Sequence, residues 1–309
     1  MPERERPRIL VYLTPKASNE TLLTLAERHA ERRGASVLAM SVLQELPWYA
    51  RLGTSSVETI HSEREQSADA WLNREVAPLA RAGVRVETRV AWGRPFDVII
   101  QEALRHPTQL VMKTAHGDGP LRGLLGSTAM HLLRKCPTPV WVVKPGRNAR
   151  IRTVLAAVDP VNSPDAGDLN AAILRLALET AVAEDAALHV FHGYSVLGRH
   201  HLHHPIPDAE YHAYTQEVRE RLQSALAQLI APLDIKLDQA RIHILPGEPG
   251  SILPSLISKI DANLLVMGTL GRAGIPGLLI GNTAERMLSV VDCSVLAIKP
   301  DRFVSPVAF

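Results

Sequence analysis

The sequence predicts an α/β protein of two tandem doubly wound domains, each with a five-stranded parallel sheet of Rossmann-like type. Short apolar segments alternate with amphipathic ones along the chain, which is typical of parallel strands covered by helices on both faces. The whole alternating pattern occurs twice in the same order. The chain has 309 residues, which is enough for two hydrophobic cores.

Each half of the chain reads as five strands separated by four helices. In the first half, the predicted strands lie near 8–14, 36–43, 84–92, 109–113 and 139–144, and the predicted helices near 19–33, 55–81, 96–106 and 127–135. In the second half, the strands lie near 152–158, 187–193, 240–245, 263–268 and 294–299, and the helices near 166–183, 206–231, 250–260 and 282–290. The long helices carry a narrow Ala/Leu/Val stripe among charged residues, which indicates one packed face.

Five landmarks recur when residues 1–147 are compared with residues 148–309, and these two ranges are the predicted domains. The pairs are Arg8–Thr14 with Thr153–Asp159, Trp92–Pro95 with Pro246–Pro249, Gln109–Lys113 with Leu264–Gly268, Gly126–Met130 with Gly281–Glu285, and Val140–Pro145 with Val295–Pro300. Landmarks in one fixed order rarely recur by chance, so the comparison indicates an internal duplication.

Composition excludes several classes of function. The chain is 46% hydrophobic and 21% charged, and its net charge of +2 provides no field for binding nucleic acid or an anionic membrane. Residues 1–10 lack the apolar core of a secretory signal, and no apolar run approaches the length of a membrane span. Cys136 and Cys293 form no CxxC pair. We therefore expect a cytoplasmic, reduced protein that binds neither nucleic acid nor membrane.

The most informative segment follows the fourth strand of the second half. Gly268-Thr-Leu-Gly271 is followed by nine residues and then by Gly281-Asn-Thr283, where we expect Asn282 to cap a helix. Glycines let backbone N–H groups approach an anion, and a helix N-terminus adds unpaired donors. Ligands of such sheets bind beyond the carboxyl ends of the strands, where Asp159 also lies. The pattern predicts a phosphate site, with an ordinary glycine-rich turn as the alternative.

This G-x-x-G-x9-G-[small polar] loop, with an Asp closing the first strand, resembles the nucleotide-binding kind of universal stress protein. The resemblance covers essentially the whole chain as two tandem family domains. Two strings, GNTAERML in the second half and HLLRKCPTPVW in the first, look like the E type of bacterial universal stress proteins. The resemblance implies a stress-response protein that binds ATP, with Mg²⁺ as a further expectation, in its C-terminal domain.

The resemblance also implies roles for individual residues of the second half. They are Asp159 on the adenosine side, Val190 packing beside adenine and offering its backbone, Gly268 and Gly271 where the loop approaches ribose and phosphate, and Gly281, Asn282 and Thr283 as donors to the phosphates. Asn282 replaces the serine that is usual in the family. It can still donate to a phosphate, but it lacks the hydroxyl that could assist a phosphate-bound metal.

The first half departs from this pattern. Thr14 stands in the place of the aspartate, and we match Lys113 and His116 to the two leading glycines, so that Gly126 and Ser127 alone are retained. A side chain at both glycine positions blocks close backbone approach. We expect a degenerate partner domain that does not bind ATP. A different anion site built from Lys113 and His116 is the alternative.

Binding is better supported than turnover. The sequence has no Walker lysine motif, no G-x-G-x-x-G, no H-E-x-x-H and no G-x-S-x-G, and Arg272 is the one positive charge in the loop. We expect no catalytic residue and a regulatory module in which ATP orders the loop. One alternative is a scaffold without ATP whose pocket takes another phosphate-containing or partly apolar ligand through Val190, Ile275, Pro276, Leu278 and Leu279. A slow ATP hydrolase is the weaker alternative.

The expected partners follow from the last strand of each half. Val140–Val143 and Val295–Ile298 are apolar edge candidates, and such edges pair two domains in the family. We therefore expect an internal pseudo-dimer, with a homodimer and an unidentified protein partner left open.

Histidines at 200–204, with His192 and His212 nearby, suggest a metal only by composition, and a solvated loop is the preferred interpretation. No metal ligand is assigned.

Overall fold

The computed structural model describes residues 7–45, 57–115, 125–145, 149–160, 164–195, 208–233, 238, 241–269 and 280–307. Its contacts form two compact units: unit 1 is Met1–Arg150 with Phe303–Phe309, and unit 2 is Ile151–Arg302. The boundary expected between residues 147 and 148 lies outside the described residues. The sequence assigns residues 303–309 to the second domain, whereas the structure groups them with unit 1, where the Ser305 hydroxyl donates to the Lys135 carbonyl (2.8 Å).

Unit 1 alternates strands and helices along its length. Its elements are β1 (Arg8–Tyr12), α1 (Glu20–Arg33), β2 (Ser36–Leu43), α2 (Val57–Arg81), β3 (Val86–Trp92), α3 (Pro95–Arg105), β4 (Thr108–Thr114), α4 (Ser127–Lys135) and β5 (Val140–Val143). The strands pair in parallel in the order β3-β2-β1-β4-β5. The predicted fold class is confirmed for this half.

Unit 2 repeats the same arrangement. Its elements are β6 (Thr153–Ala157), α5 (Pro164–Glu184), β7 (Ala187–Tyr194), α6 (Asp208–Ile230), β8 (Ile242–Pro246), α7 (Pro249–Lys259), β9 (Leu264–Gly268), α8 (Asn282–Val290) and β10 (Ser294–Ile298), with a 3₁₀ turn at Ala231–Leu233. The strands are parallel in the order β8-β7-β6-β9-β10.

Strand order reverses at the first strand of each sheet. β1 lies between β2 and β4, and β6 lies between β7 and β9. Connections that leave such a strand in opposite directions open a crevice beyond its carboxyl end, where ligands of doubly wound sheets bind. In unit 2 this crevice lies between the ends of β6 and β9.

Aliphatic side chains form both cores. β5 and β10 are buried along their whole lengths, and the largest fully buried side chains include two aromatic ones, Trp141 and Phe191. Each buried Leu, Ile or Val contributes about 1.5–3 kcal/mol relative to an exposed one. Within the described ranges, no helix is both long and apolar enough to cross a bilayer.

A buried carboxylate ties α3 to two strands of unit 1. The Glu102 side chain, 3% exposed, accepts from the Arg8 guanidinium at 3.1 Å and from Arg89, and His106 Nε2 lies 3.9 Å away. A buried charge is tolerated only when it is paired and hydrogen-bonded. This cluster therefore fixes the position of α3 against β1 and β3.

Candidate functional site

The turn that carries Asp159 follows β6 at the crevice of unit 2. The Asp159 N–H donates to Oδ1 of Asn170 on α5 (2.9 Å), and Nδ2 of Asn170 donates to the Asp159 carbonyl (2.7 Å). Asn170 is 5% exposed, whereas the Asp159 side chain is 43% exposed. A buried amide thus fixes the backbone of the turn and leaves the carboxylate accessible.

Unit 1 retains one of these two main-chain hydrogen bonds, and Oδ1 of its buried amide, Asn19, has no hydrogen-bond partner within the described residues. Nδ2 of Asn19 lies 3.3 Å from the Thr14 carbonyl and also 3.3 Å from Oε2 of Glu75. Asn19 precedes α1 and is buried, as Asn170 is buried on α5. The repeated clamp supports the match of Thr14 with Asp159, and unit 1 lacks the carboxylate at that position.

A buried histidine lies next to Asp159. His192, on β7, has its side chain 8% exposed, and its Nδ1 lies 3.0 Å from the Val158 carbonyl and 4.0 Å from Oδ1 of Asp159. A carbonyl can only accept, so Nδ1 carries the proton of this hydrogen bond. From the sequence, His192 is only a neighbour of the histidine run at 200–204. Its position two residues after Val190, on the same strand, is the signal that could have found it.

Val190 lies inside the sheet. It pairs with Ala156 of β6 and Ile242 of β8, and its side chain is fully buried. Alternate residues of a strand share a face, so Val190 and His192 point to the same side of β7. The role of Val190 beside adenine stays a prediction.

Gly268 ends β9 in a space that is already filled. A Cβ on this residue would lie 2.9 Å from Cδ2 of Leu169 and 3.4 Å from Cδ1 of Ile173, both on α5. Real Cβ atoms are essentially never found as close as 2.9 Å to another heavy atom. Packing against α5 is therefore one reason for glycine at this position, and approach to a ribose stays a prediction.

The start of α8 is tied to the end of β9. The Thr269 N–H donates to the Ile298 carbonyl (3.1 Å), and the Gly281 N–H donates to the Thr269 carbonyl (2.9 Å). These bonds place the helix start beside the crevice.

Other residues named from the sequence lie outside the described part of the chain: His116, the run 199–204, Gly271, Arg272, Ile275, Pro276, Leu278 and Leu279.

The expectation that Asn282 caps α8 is wrong. Gly281 is the N-cap residue, with extended backbone (φ −77°, ψ 147°), and as a glycine it offers no side chain to cap the helix. The Gly281 carbonyl accepts the first helical hydrogen bond, from Glu285 N (2.9 Å), so Asn282 is already the first helical residue. Asn282 and Thr283 are both exposed. First-turn N–H groups have no acceptor within the helix and lie at the positive end of its dipole, which suits an anion.

The sheet register corrects the match between the two loops by one residue. Gly268 pairs with Ile298 on β10, and Thr114 pairs with Val143 on β5. Val143 and Ile298 are themselves matched by the repeat. The counterpart of Gly268 is therefore Thr114 and not Lys113, which lies buried in β4 with its ammonium donating to the Thr114 carbonyl. A slip of one residue leaves an all-apolar strand pattern unchanged, which is why the sequence alone did not reveal it.

Side-chain directions agree with this register. Oγ1 of Thr114 lies 3.5 Å from the Ser18 carbonyl, and a Cβ on Gly268 would meet Leu169. Ser18 precedes the clamp residue Asn19 just as Leu169 precedes Asn170 in unit 2. The two side chains therefore point to equivalent places in the two units.

The same register changes the comparison of the glycine positions. Gly117, which is outside the described residues, replaces His116 as the sequence counterpart of Gly271, so the inference that both leading glycines are lost in unit 1 is wrong. The loop of unit 1 is also one residue shorter, with eight residues before Gly126 against nine before Gly281. Gly126 has a positive φ of 82°, which favours glycine, whereas the φ of Gly281 is −77°, which any residue can adopt.

Comparisons with known proteins agree with this geometry. The model of the universal stress protein family matches residues 5–144 and 150–299. The chain is 29% identical to universal stress protein E of Salmonella typhi and 28% identical to that of Escherichia coli (strain K12), in each case over 97% of this chain and 96% of the relative. A solved structure of a functionally unknown protein from Pseudomonas aeruginosa PAO1 is 26% identical with a TM-score of 0.73, and the match covers 96% of this chain and 93% of that one. The chain therefore belongs to the universal stress protein family and contains two copies of the family domain in tandem.

Proposed function

We propose that unit 2 binds an adenine nucleotide, ATP, in the crevice between β6 and β9, and that the protein acts as a regulatory binding module. One observation carries the proposal. The hydrogen bond from Gly281 to Thr269 seats the start of α8 beside the end of β9, next to the strand whose carboxyl end carries the clamped Asp159 turn. An accessible carboxylate and a helix N-terminus are thus positioned by neighbouring strands, which supports the proposal.

The two parts of the site suit the two ends of a nucleotide. An accessible carboxylate on a rigid turn accepts hydrogen bonds from ribose hydroxyls, and Asp159 has this environment. The first-turn N–H groups of α8, with the exposed side chains of Asn282 and Thr283, suit phosphate oxygens. The family resemblance adds Val190, Gly268 and Gly271 to the proposed site.

Magnesium would reach this site on the phosphates of ATP. Within the described ranges, no three His, Cys, Asp or Glu side chains are grouped so that they could hold a metal ion. The first turn of α8 has amide and hydroxyl groups and one carboxylate, Glu285. These residues fit a nucleotide phosphate directly and do not form a protein cage for the metal.

We propose binding without rapid turnover. A fast phosphoryl transfer needs charge clamps on the γ-phosphate and a group that orients the attacking water. The family resemblance assigns Asp159 to the adenosine side and not to the γ-phosphate. The cytoplasmic location and the internal pseudo-dimer are part of the same proposal, and they rest on the sequence features given above.

Small molecules released from freshly purified protein test the proposal. The protein is heat-denatured, and the supernatant is analysed by mass spectrometry for adenine nucleotides. Calorimetric titrations of nucleotide-free protein with ATP, ADP and AMP follow. We expect a released adenine nucleotide and saturable ATP binding. The proposal fails if no adenine nucleotide is released and no titration gives a binding heat. ADP that accumulates linearly and disappears in Gly271→Val would replace it with slow hydrolysis.

A further inference from the structure

We propose that the hydroxyl of Thr269 donates a hydrogen bond to a phosphate oxygen bound at the first turn of α8. The inference rests on the proposed function and goes further, because it assigns a ligand contact to a residue that neither the sequence pattern nor the family resemblance singles out. It follows from one buried hydroxyl, from the crossovers of unit 2 and from a comparison of the two units.

The first step is the state of the hydroxyl. Thr269 is fully buried, and its Oγ1 makes no hydrogen bond within the part of the chain that the structure describes. Its main chain, by contrast, is bonded at both ends, to the Ile298 carbonyl and to the Gly281 N–H. Buried polar groups are nearly always hydrogen-bonded, and one without a partner costs more than an ordinary hydrogen bond gains. A ligand atom that accepts from this hydroxyl removes that cost.

The second step is the direction of the side chain. A Cβ on Gly268 would contact Leu169 and Ile173 of α5, so position 268 faces the side of the sheet that α5 covers. The Thr269 N–H continues the pairing of β9 with β10, and successive residues of an extended chain point to opposite faces. The Thr269 side chain therefore faces the other side of the sheet.

The helix α8 covers that other side. The connection from β6 to β7 through α5 and the connection from β9 to β10 through α8 run in opposite directions across the strand order. Right-handed crossovers that run in opposite directions place their helices on opposite faces. The contacts agree, because α5 packs against α6, and α8 packs against α7. The hydrogen bond from Gly281 to the Thr269 carbonyl then brings the start of α8 next to the Thr269 side chain.

The third step is the chemistry of the ligand. The first-turn N–H groups of α8, a helix of nine residues, have no acceptor within the helix and lie at the positive end of its dipole. A threonine hydroxyl has one proton to donate. A phosphate has several acceptor oxygens and can accept from the helix N–H groups and from the hydroxyl together. The two features therefore suit the phosphate part of a nucleotide.

The fourth step is the counterpart in unit 1. The Ala115 N–H donates to the Val143 carbonyl (2.7 Å) in the way that the Thr269 N–H donates to the Ile298 carbonyl (3.1 Å). Ala115 is therefore the counterpart of Thr269. Unit 1 has a methyl group where unit 2 has a hydroxyl, so the unit that we expect not to bind a nucleotide also lacks this donor.

The free protein tests whether the hydroxyl lacks a partner. Thr269→Val keeps the shape of the side chain and removes the hydroxyl, so the Tm of the nucleotide-free protein should not fall, because no hydrogen bond is lost. Thr180→Val is the matched control, since Thr180 is fully buried on α5 and its hydroxyl donates to the Leu176 carbonyl (2.7 Å). Its Tm should fall. A fall of more than about 2 °C in Thr269→Val overturns the inference.

The effect on binding is measured by calorimetric titration with ATP and with adenosine, which has no phosphate. We expect about ten- to hundredfold weaker ATP binding in Thr269→Val, because a hydrogen bond to a charged oxygen is lost, and unchanged adenosine binding. Thr269→Ser keeps the hydroxyl, and Thr180→Val lies outside the crevice, so both should bind ATP like the wild type. Unchanged ATP affinity in Thr269→Val, or a loss that adenosine shares, contradicts the inference while the proposed function stands.

Inorganic pyrophosphate separates this inference from the proposed function. The backbone ¹H–¹⁵N signals of the full-length protein are followed as pyrophosphate is added. The signals of Gly281, Asn282 and Thr283 should shift saturably in the wild type and at higher concentration in Thr269→Val. These shifts without any ATP binding mean that the proposed function fails and the phosphate contact holds. If neither ATP nor pyrophosphate binds, both fail.

Discussion

Asn170→Ala removes the amide that clamps the Asp159 turn. The side chain is 5% exposed and makes two hydrogen bonds to the main chain, of 2.9 and 2.7 Å. Each such bond contributes about 0.5–1.5 kcal/mol net, so the loss of both lowers the free energy of unfolding of unit 2 by about 1–3 kcal/mol. For a unit of this size that is a fall in Tm of about 2–12 °C.

Urea denaturation and differential scanning calorimetry measure this change, with Asn19→Ala as the matched control in unit 1. Asn19 holds the main chain of its turn by one hydrogen bond, 3.3 Å long, and makes its second bond to the Glu75 carboxylate, so Asn19→Ala controls for the loss of a buried amide outside the proposed site. ATP affinity should fall about tenfold in Asn170→Ala, because the carboxylate loses its orientation, and should not change in Asn19→Ala. Unchanged ATP affinity in Asn170→Ala, or an affinity that falls equally in Asn19→Ala, refutes the clamp.

Three further predictions concern stability. Gly268→Ala should cost about 1–3 kcal/mol by thermal denaturation in the wild-type background and less in a Leu169→Ala background. An equal cost in both backgrounds counts against the packing explanation. Glu102→Ala should destabilise unit 1 by about 1–3 kcal/mol in urea, since Arg89 is 45% exposed and its charge can be hydrated. A cost below about 1 kcal/mol contradicts the buried pairing. Burial lowers the pKa of His189 and His243 from 6.5, so the free energy of unfolding of unit 2 should decrease as pH falls below about 6.5. His243→Gln should make this pH dependence of the unfolding free energy less steep, and an unchanged dependence excludes the pair as its source.

The fold was predictable because its signal is periodic. Buried parallel strands such as Leu264–Gly268 are continuous apolar runs, and the helices between them show one packed face. Repetition of the pattern made the prediction of a tandem α/β protein firm. The same continuity hid the register, since Lys113 and Thr114 are equally compatible with the end of an apolar strand, and only the pairing with Val143 distinguishes them.

The site was predictable in part. Asp159 and Gly281 mark the ends of local elements, and local rules place both of them at the crevice. Asn170 and His192 act through partners that are distant in the sequence, so no local pattern gives them a role. Asn282 was assigned as a cap because of its residue type, whereas the backbone of Gly281 decides where α8 begins.

A calorimetric titration with ATP distinguishes a nucleotide site in unit 2 from one in unit 1, because the repeat supplies its own control. Wild type, Asp159→Ala and Thr14→Ala are titrated at one pH and salt concentration. We expect one site per chain, at least about tenfold weaker binding in Asp159→Ala, and wild-type affinity in Thr14→Ala. ATP binding that survives Asp159→Ala but is lost in Thr14→Ala would place the nucleotide in unit 1 and contradict the assignment to unit 2.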